Sequence, residues 1–423
     1  MAPFAVTRTL LRGIPGRAVL LYGVLALTTL TSSRLEAQQP VTAPPGSTAQ
    51  APAGARGGGR GAAIKSPEIA ADSRVTFRLR APNAKEVMVS LGQTRLPMQK
   101  DEQGVWSATS DVLAPNYYTY SFVIDGTTVN DSANRRMETS FGSSRSMFVI
   151  PGPEPWLPNP GVPRGAIARH TFRSAIANDE RDFLVYTPAG YEPKRSRAYP
   201  TLYLLHGLGD DAERWMNGGG ANVILDNLIA QGKAVPMVVV TTLGYGVSNG
   251  PAGASTPESI PAYAKILLTE VMPVVEQTYN VARSREQRAI AGLSMGGAEA
   301  LFTGLNNPDK FAWIGSFSGA FVMWRSAAGV VDANSGRGAG PSNSTAVFDK
   351  TFPGLDAKVN SSMRLLWITC GTADGLIGVN REFKDWLRSK NIRFSEEEVP
   401  DLGHVWPLWR RNLVDFAQKA FQK

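Results

Sequence analysis

The pentapeptide Gly292-Leu293-Ser294-Met295-Gly296 constrains this chain more than any other stretch, because of what flanks it. Before it, Arg288-Ala289-Ile290-Ala291 is a short apolar run of strand character; after it, Gly297-Ala298-Glu299-Ala300-Leu301-Phe302 opens a helix. A G-x-S-x-G spacing at a strand-turn-helix junction is the signature of a nucleophile elbow. It forces the serine into a strained backbone conformation, uses glycine on either side to leave room for the turn, and exposes the hydroxyl at the C-terminal edge of a sheet. From Gly165 onward, strands and helices alternate. Apolar strands are expected at Phe183 to Tyr186, Leu202 to Leu205, Met237 to Thr241, Ile314 to Phe317 and Leu365 to Thr369, and helices at Ala221 to Ala230 and Tyr263 to Tyr279. Near-continuous apolar strands are buried on both faces, so the expected fold is a doubly wound α/β sheet. Its site should lie outside the strand C-termini.

A serine nucleophile needs a base, and the base needs a carboxylate to orient it. The chain has three histidines, His170, His206 and His404. His404 follows the strand-like Phe394 to Val399 and precedes a terminal helix from Leu408 to Phe421, which places it on the same rim as Ser294. His206, in Leu204-Leu205-His206-Gly207-Leu208-Gly209, is expected to shape an oxyanion loop, and His170 to be a solvated or capping residue ahead of the first strand. Asp374 is the carboxylate of choice, in the turn Gly371-Thr372-Ala373-Asp374-Gly375 after an apolar strand; Asp401 is the runner-up, too near His404 in sequence. Developing negative charge would be met by two backbone amides, Met295 and Leu208. Candidate substrate contacts are His206, Gly207, Trp215 and Trp406, with Trp215, Trp324 and Trp406 as lining for an aromatic acyl pocket. Gly329 to Gly354 reads as a mobile loop between nucleophile and acid, either a lid or acyl pocket wall or a disordered insertion. No His or Cys cluster has metal-ligand spacing, and no cofactor is expected.

At 423 residues the chain has room for more than one domain. Residues 1–37 read as a secretory signal: Arg8, Arg12 and Arg17 precede an apolar stretch, Ala18 to Leu30, that is short for a membrane span. A secreted or periplasmic protein is therefore expected, with no membrane association once the signal is removed. The net charge of +8 includes four arginines and one glutamate of that segment, so the remainder carries +5. No basic stripe with interleaved aromatics suggests nucleic acid. The single cysteine, Cys370, excludes an intrachain disulfide and reads as a buried small hydrophobe. Residues 38–65 are rich in Pro, Gly and Ala and read as a flexible tether. Over 66–150 the pattern changes to period-two strands such as Val75 to Leu79, Val87 to Leu91 and Tyr118 to Ile124, closed by Asp125-Gly126. This predicts a small all-β, immunoglobulin-like sandwich. Its Trp106, Tyr117, Tyr118 and Tyr120 either pack the core or offer a sugar-stacking platform, with core packing the favoured reading. Residues 151–164 are a Pro-rich linker into the α/β region, 165–423.

The segments Leu204 to Asp210, Trp215 to Asn222, Ala291 to Gly297, Cys370 to Asp374 and Gly403-His404 together resemble the esterase D branch of the α/β-hydrolases. The closest resemblance is to the feruloyl esterases of carbohydrate esterase family 1. The Ser294, Asp374, His404 chain order is that of the α/β-hydrolases. The resemblance implies the same triad, Leu208 and Met295 as oxyanion donors, and no metal. It also implies a secreted esterase releasing hydroxycinnamates from feruloylated plant polysaccharide. An acetylated polysaccharide, a siderophore trilactone, an acyltransferase or a non-hydrolytic glycan-binding role remain alternatives. Val75 to Asp131 resembles the family-48 carbohydrate-binding sandwich fused to such esterases. The sequence does not set the oligomeric state.

Overall fold

The computed structural model describes residues 63–254, 256–327 and 344–422. The expected signal segment, most of the tether and residues 328–343 of the expected loop lie outside the described residues. The period-two runs after Ser66 become ten strands: β1 (Glu68–Ile69), β2 (Val75–Arg80), β3 (Val87–Leu91), β4 (Thr94–Pro97), β5 (Gln99–Lys100), β6 (Val105–Thr109), β7 (Asn116–Ile124), β8 (Thr127–Val129), β9 (Met137–Ser140) and β10 (Ser143–Ile150). They form two antiparallel sheets, ordered β1-β2-β6-β5 and β4-β3-β7-β10-β9, with β8 added to β7. Val75, Phe77 and Trp106 of one sheet meet Val87, Val89, Tyr120, Phe122 and Phe148 of the other in a common core. Trp106 and Tyr120 are therefore core residues; Tyr118 packs against that core and stacks on Phe148.

The α/β region carries β11 (Ala166–Ser174), β12 (Asp179–Thr187), β13 (Thr201–Leu205), β14 (Val238–Thr242), β15 (Arg288–Leu293), β16 (Trp313–Phe317), β17 (Leu365–Gly371) and β18 (Ser395–Val399). They order as β11-β12-β14-β13-β15-β16-β17-β18 in one sheet. The first two join antiparallel, and from β14 to β18 all neighbours run parallel. Alternate side chains enter different cores: Tyr203, Leu205, Ile290, Ile314 and Ile368 on one face, Leu202, Leu204, Ala289, Ala291, Phe317 and Trp367 on the other. Burial on both faces explains why these strands read as continuous apolar runs.

Three expectations are corrected here. His170 lies within strand β11, where its ring stacks on Phe183 and its Nε2 is 2.7 Å from the Tyr279 hydroxyl. The end of the expected loop is a helix, Ser344–Thr351, whose Val347 and Phe348 enter the core with Phe352 just beyond it. The Pro-rich stretch after Ile150 is packed: Leu157 is buried, and the Asn227 side-chain amide donates to the Pro155 and Leu157 carbonyls. Residues 61–423 form one compact unit. Among the described residues no helix is long and apolar enough to cross a membrane.

Candidate active site

Strand β15 lies between β13 and β16, and a helix, Met295–Asn306, leaves directly from its end. Ser294 makes the turn at φ 53° and ψ −117°, a conformation that non-glycine residues seldom adopt. The two motif glycines are needed for clearance. A Cβ on Gly292 would lie 2.4 Å from the Gly296 carbonyl, and one on Gly296 would lie 2.5 Å from the His206 carbonyl oxygen. The Ser294 amide donates to Phe317 of β16, and its carbonyl accepts from the Ala320 amide. The strained residue is thus held by neighbours on both sides.

The ends of β17 and β18 bring the other two groups to the same rim. Ser294 Oγ is 3.0 Å from His404 Nε2, and His404 Nδ1 is 2.9 Å from Asp374 Oδ2. A carboxylate only accepts, so the ring proton sits on Nδ1 and donates to Asp374. Nε2 is then free to accept the serine proton. Asp374 is 2 % exposed. Burial opposes its ionisation, but bonds from His404 and the Leu376 amide outweigh that and hold it below the usual carboxylate value. The His404 ring packs edge-on against Trp409 at 4.9 Å. Asp401, the runner-up, is exposed at φ 59° and serves a turn.

Beside Ser294 runs the loop Gly207 to Asp211, close enough that a Cβ on Gly207 would lie 2.6 Å from the Leu293 side chain and 3.4 Å from Ser294. The Asp210 amide donates to the Gly207 carbonyl, closing a turn with Gly209 at φ 88°. Such a turn leaves the amide of its second residue, Leu208, unpaired by the turn itself. At the helix start, Gly296 and Gly297 amides donate to the His206 and Ser294 carbonyls, which leaves Met295 as the orphan first amide. Among the described residues, neither expected oxyanion donor, the Leu208 amide or the Met295 amide, has a backbone acceptor.

Several expected substrate contacts are corrected. His206 is 1 % exposed; Nδ1–H donates to the Gly207 carbonyl while Nε2 accepts from the Gly244 amide. Burial pulls its pKa down to about 4, so the ring is neutral and clamps the loop from beneath. Gly207 is also buried, and supplies clearance and a carbonyl for that clamp. Trp215 is wholly buried, its indole N–H donating to the Leu205 carbonyl, and Trp324 is stacked on Phe321 in the core. Trp406, by contrast, keeps partial exposure, and the guanidinium groups of Arg214 and Arg410 lie over its ring at 4.9 and 5.7 Å. All three tryptophans were legible as large apolar groups, but their type does not say which side of a wall they occupy. Sequence reasoning missed Tyr245, whose hydroxyl accepts from the Gly209 amide and donates to the Asp210 carbonyl. It also missed Glu299, buried on the helix behind Ser294, and Phe141 of the sandwich. Nothing near any of them in sequence signals the contact. A cavity of about 600 Å³ opens beside this loop, lined by Phe141, Arg169, Asp182, Asp211, Glu213 and Leu243 among others.

The Esterase family model, described as "Putative esterase", matches residues 174–419. An endo-1,4-beta-xylanase/feruloyl esterase of Xylanibacter ruminicola is 30% identical over 372 residues, covering 84% of this chain and 46% of that protein. The chain thus spans less than half the length of that curated relative. Among solved structures, a family 1 ferulic acid esterase from Anaeromyces mucronatus matches at TM-score 0.52 and 23% identity, over 64% of this chain and 96% of its own. The enterobactin esterase of Shigella flexneri matches at TM-score 0.55 and 18% identity, over 82% of this chain and 93% of its own. At these identities the two structures speak for the fold alone, α/β-hydrolase.

Proposed function

Because this chain belongs to the Esterase family, we propose that it is a serine carboxylic-ester hydrolase that releases hydroxycinnamates from feruloylated plant polysaccharide. The observation that carries the reading is the Ser294–His404–Asp374 array, with contacts of 3.0 and 2.9 Å. Ser294 Oγ attacks the ester carbonyl as His404 Nε2 takes its proton. Asp374 holds the ring in the productive tautomer and offsets the imidazolium charge. The Leu208 and Met295 amides receive the oxyanion, each worth roughly 100-fold or more in turnover. The tetrahedral adduct collapses, His404 returns the proton to the leaving alcohol, and water activated by the same ring frees the acid from the acyl-enzyme. The feruloyl substrate is supported by the resemblance to the feruloyl esterase relative, and export by the basic-apolar pattern of residues 1–37.

The deciding experiment offers the purified protein methyl ferulate, a short acetyl ester and a ferric catecholate trilactone, with Ser294→Ala as control. Ferulate released by the wild type and not by the variant supports the cell-wall reading. Activity on the acetyl ester alone moves the assignment to deacetylation. Activity on the trilactone alone moves it to iron acquisition; the fold of the enterobactin esterase covers 82% of this chain. A folded protein silent on all three overturns the esterase reading.

A further inference from the structure

The β9–β10 hairpin of the N-terminal sandwich ends on the loop that carries Leu208. Its tip is the two-residue turn Phe141-Gly142, with Gly142 at φ 74°. The Phe141 amide donates to the Gly209 carbonyl at 2.8 Å. A trans peptide unit points its C=O and N–H in opposite directions. Holding the Gly209 carbonyl therefore turns the Asp210 amide the other way, where it donates to the Gly207 carbonyl at 3.2 Å. Holding that carbonyl in turn directs the Leu208 N–H away from it. Two peptide units thus link the sandwich to the expected oxyanion donor.

Side chains reinforce the link. Glu138 of β9 pairs with Arg214 at 2.6 Å, and Arg214 pairs with Asp210 of the loop at 3.1 Å; all three are largely buried. The Phe141 ring meets Tyr245 edge-on at 6.2 Å, and Tyr245 itself bonds Gly209 and Asp210. A Cβ on Gly250 would lie 2.3 Å from the Phe141 ring, so the loop opposite has left a seat that the ring fills. We infer that the β9–β10 hairpin is a positioning element of the reaction, its Phe141 amide aiming the Leu208 N–H through the Gly207–Asp210 turn. This rests on the esterase reading above. It makes the sandwich part of the oxyanion site, whatever else that domain binds.

The test separates the Phe141 ring from its amide. Phe141→Ala removes the ring and keeps the N–H. Phe141→Pro removes both, in a turn whose positive-φ glycine follows and where proline is well accommodated. On methyl ferulate, or whichever ester the wild type hydrolyses, the alanine variant loses the ring contacts with Tyr245 and Gly250 but keeps the N–H, so it should lose less kcat than the proline variant. The proline variant should lose roughly 10- to 100-fold with KM little changed, up to the cost of one oxyanion donor. Hydrogen exchange of residues 207–211, read by mass spectrometry, should be faster in the proline variant than in the alanine variant. Glu138→Gln and Asp210→Asn provide a second route through Arg214, and their effects on kcat should be non-additive in the double variant. Equal kcat and equal exchange in the alanine and proline variants would overturn the inference. A wild type inactive on every ester would instead sink the functional reading, while the exchange comparison would still decide the positioning.

Discussion

At the residue scale, the site depends on groups held where they would not rest by themselves. Ser294 is pinned at a positive φ by bonds to β16 and to Ala320, and Asp374 is an ionised carboxylate 2 % exposed, kept so by His404 and the Leu376 amide. Asn at position 374 keeps the shape but offers an amide N–H where an acceptor is needed, which favours the wrong imidazole tautomer. Asp374→Asn should lower kcat by roughly 10⁴-fold while leaving the fold intact; a loss under tenfold in steady-state assays would exclude Asp374 as the orienting acid. Cys370, four residues before it, is a buried thiol pushed up to about 12 by burial, in keeping with a packing role.

At the scale of elements, the helix Met295–Asn306 is buried along almost its whole length, and this has a cost at Glu299. That side chain is 1 % exposed, its Oε2 has no hydrogen-bond partner among the described residues, and burial raises its pKa well above the ordinary 4.5. A carboxyl with a raised folded pKa binds more protons folded than unfolded. Its stabilising effect is complete below the unfolded value and is lost as pH rises from there through the folded value, at up to about 1.4 kcal/mol per pH unit. Glu299→Gln removes this proton. The difference in Tm between variant and wild type should therefore grow in the variant's favour from pH 5 to pH 8. Parallel melting profiles across that range would show that Glu299 does not titrate with folding.

At the scale of the whole molecule, residues 61–423 are one unit because the sandwich and the α/β region share buried polar contacts. Arg410 is the centre of that contact. Its guanidinium donates to the Gly218 and Gly219 carbonyls and to Asn116 of β7, and it lies over the Tyr117 ring at 4.6 Å. Burial draws its pKa down to about 10, which leaves it charged at neutral pH. Arg410→Ala strands two buried carbonyls and opens a cavity under Tyr117, at a cost of about 2–4 kcal/mol. Calorimetry should show one transition shifted to lower temperature. An unshifted transition would make the contact energetically neutral, and a split into two transitions would show that the two regions melt independently.

The sequence alone determined the features that follow from local chemistry. Ser294, Asp374 and His404 could be placed because each follows a strand, the first two apolar, and strand ends in a parallel sheet share a rim. The alternation of strand and helix gave the fold class, and period-two patterning gave the sandwich. Tertiary structure alone decided what depends on contacts between segments distant in the chain. It set Trp215 and Trp324 inside walls and His206 beneath a loop. It brought Phe141, 68 residues before Gly209, onto the oxyanion turn. A side chain's apolarity predicts that it will be buried, and a turn predicts that the chain will reverse. Neither predicts which surface the tip of a hairpin meets, because that is set by how two sheets dock, and docking is paid for by buried contacts spread over the whole chain.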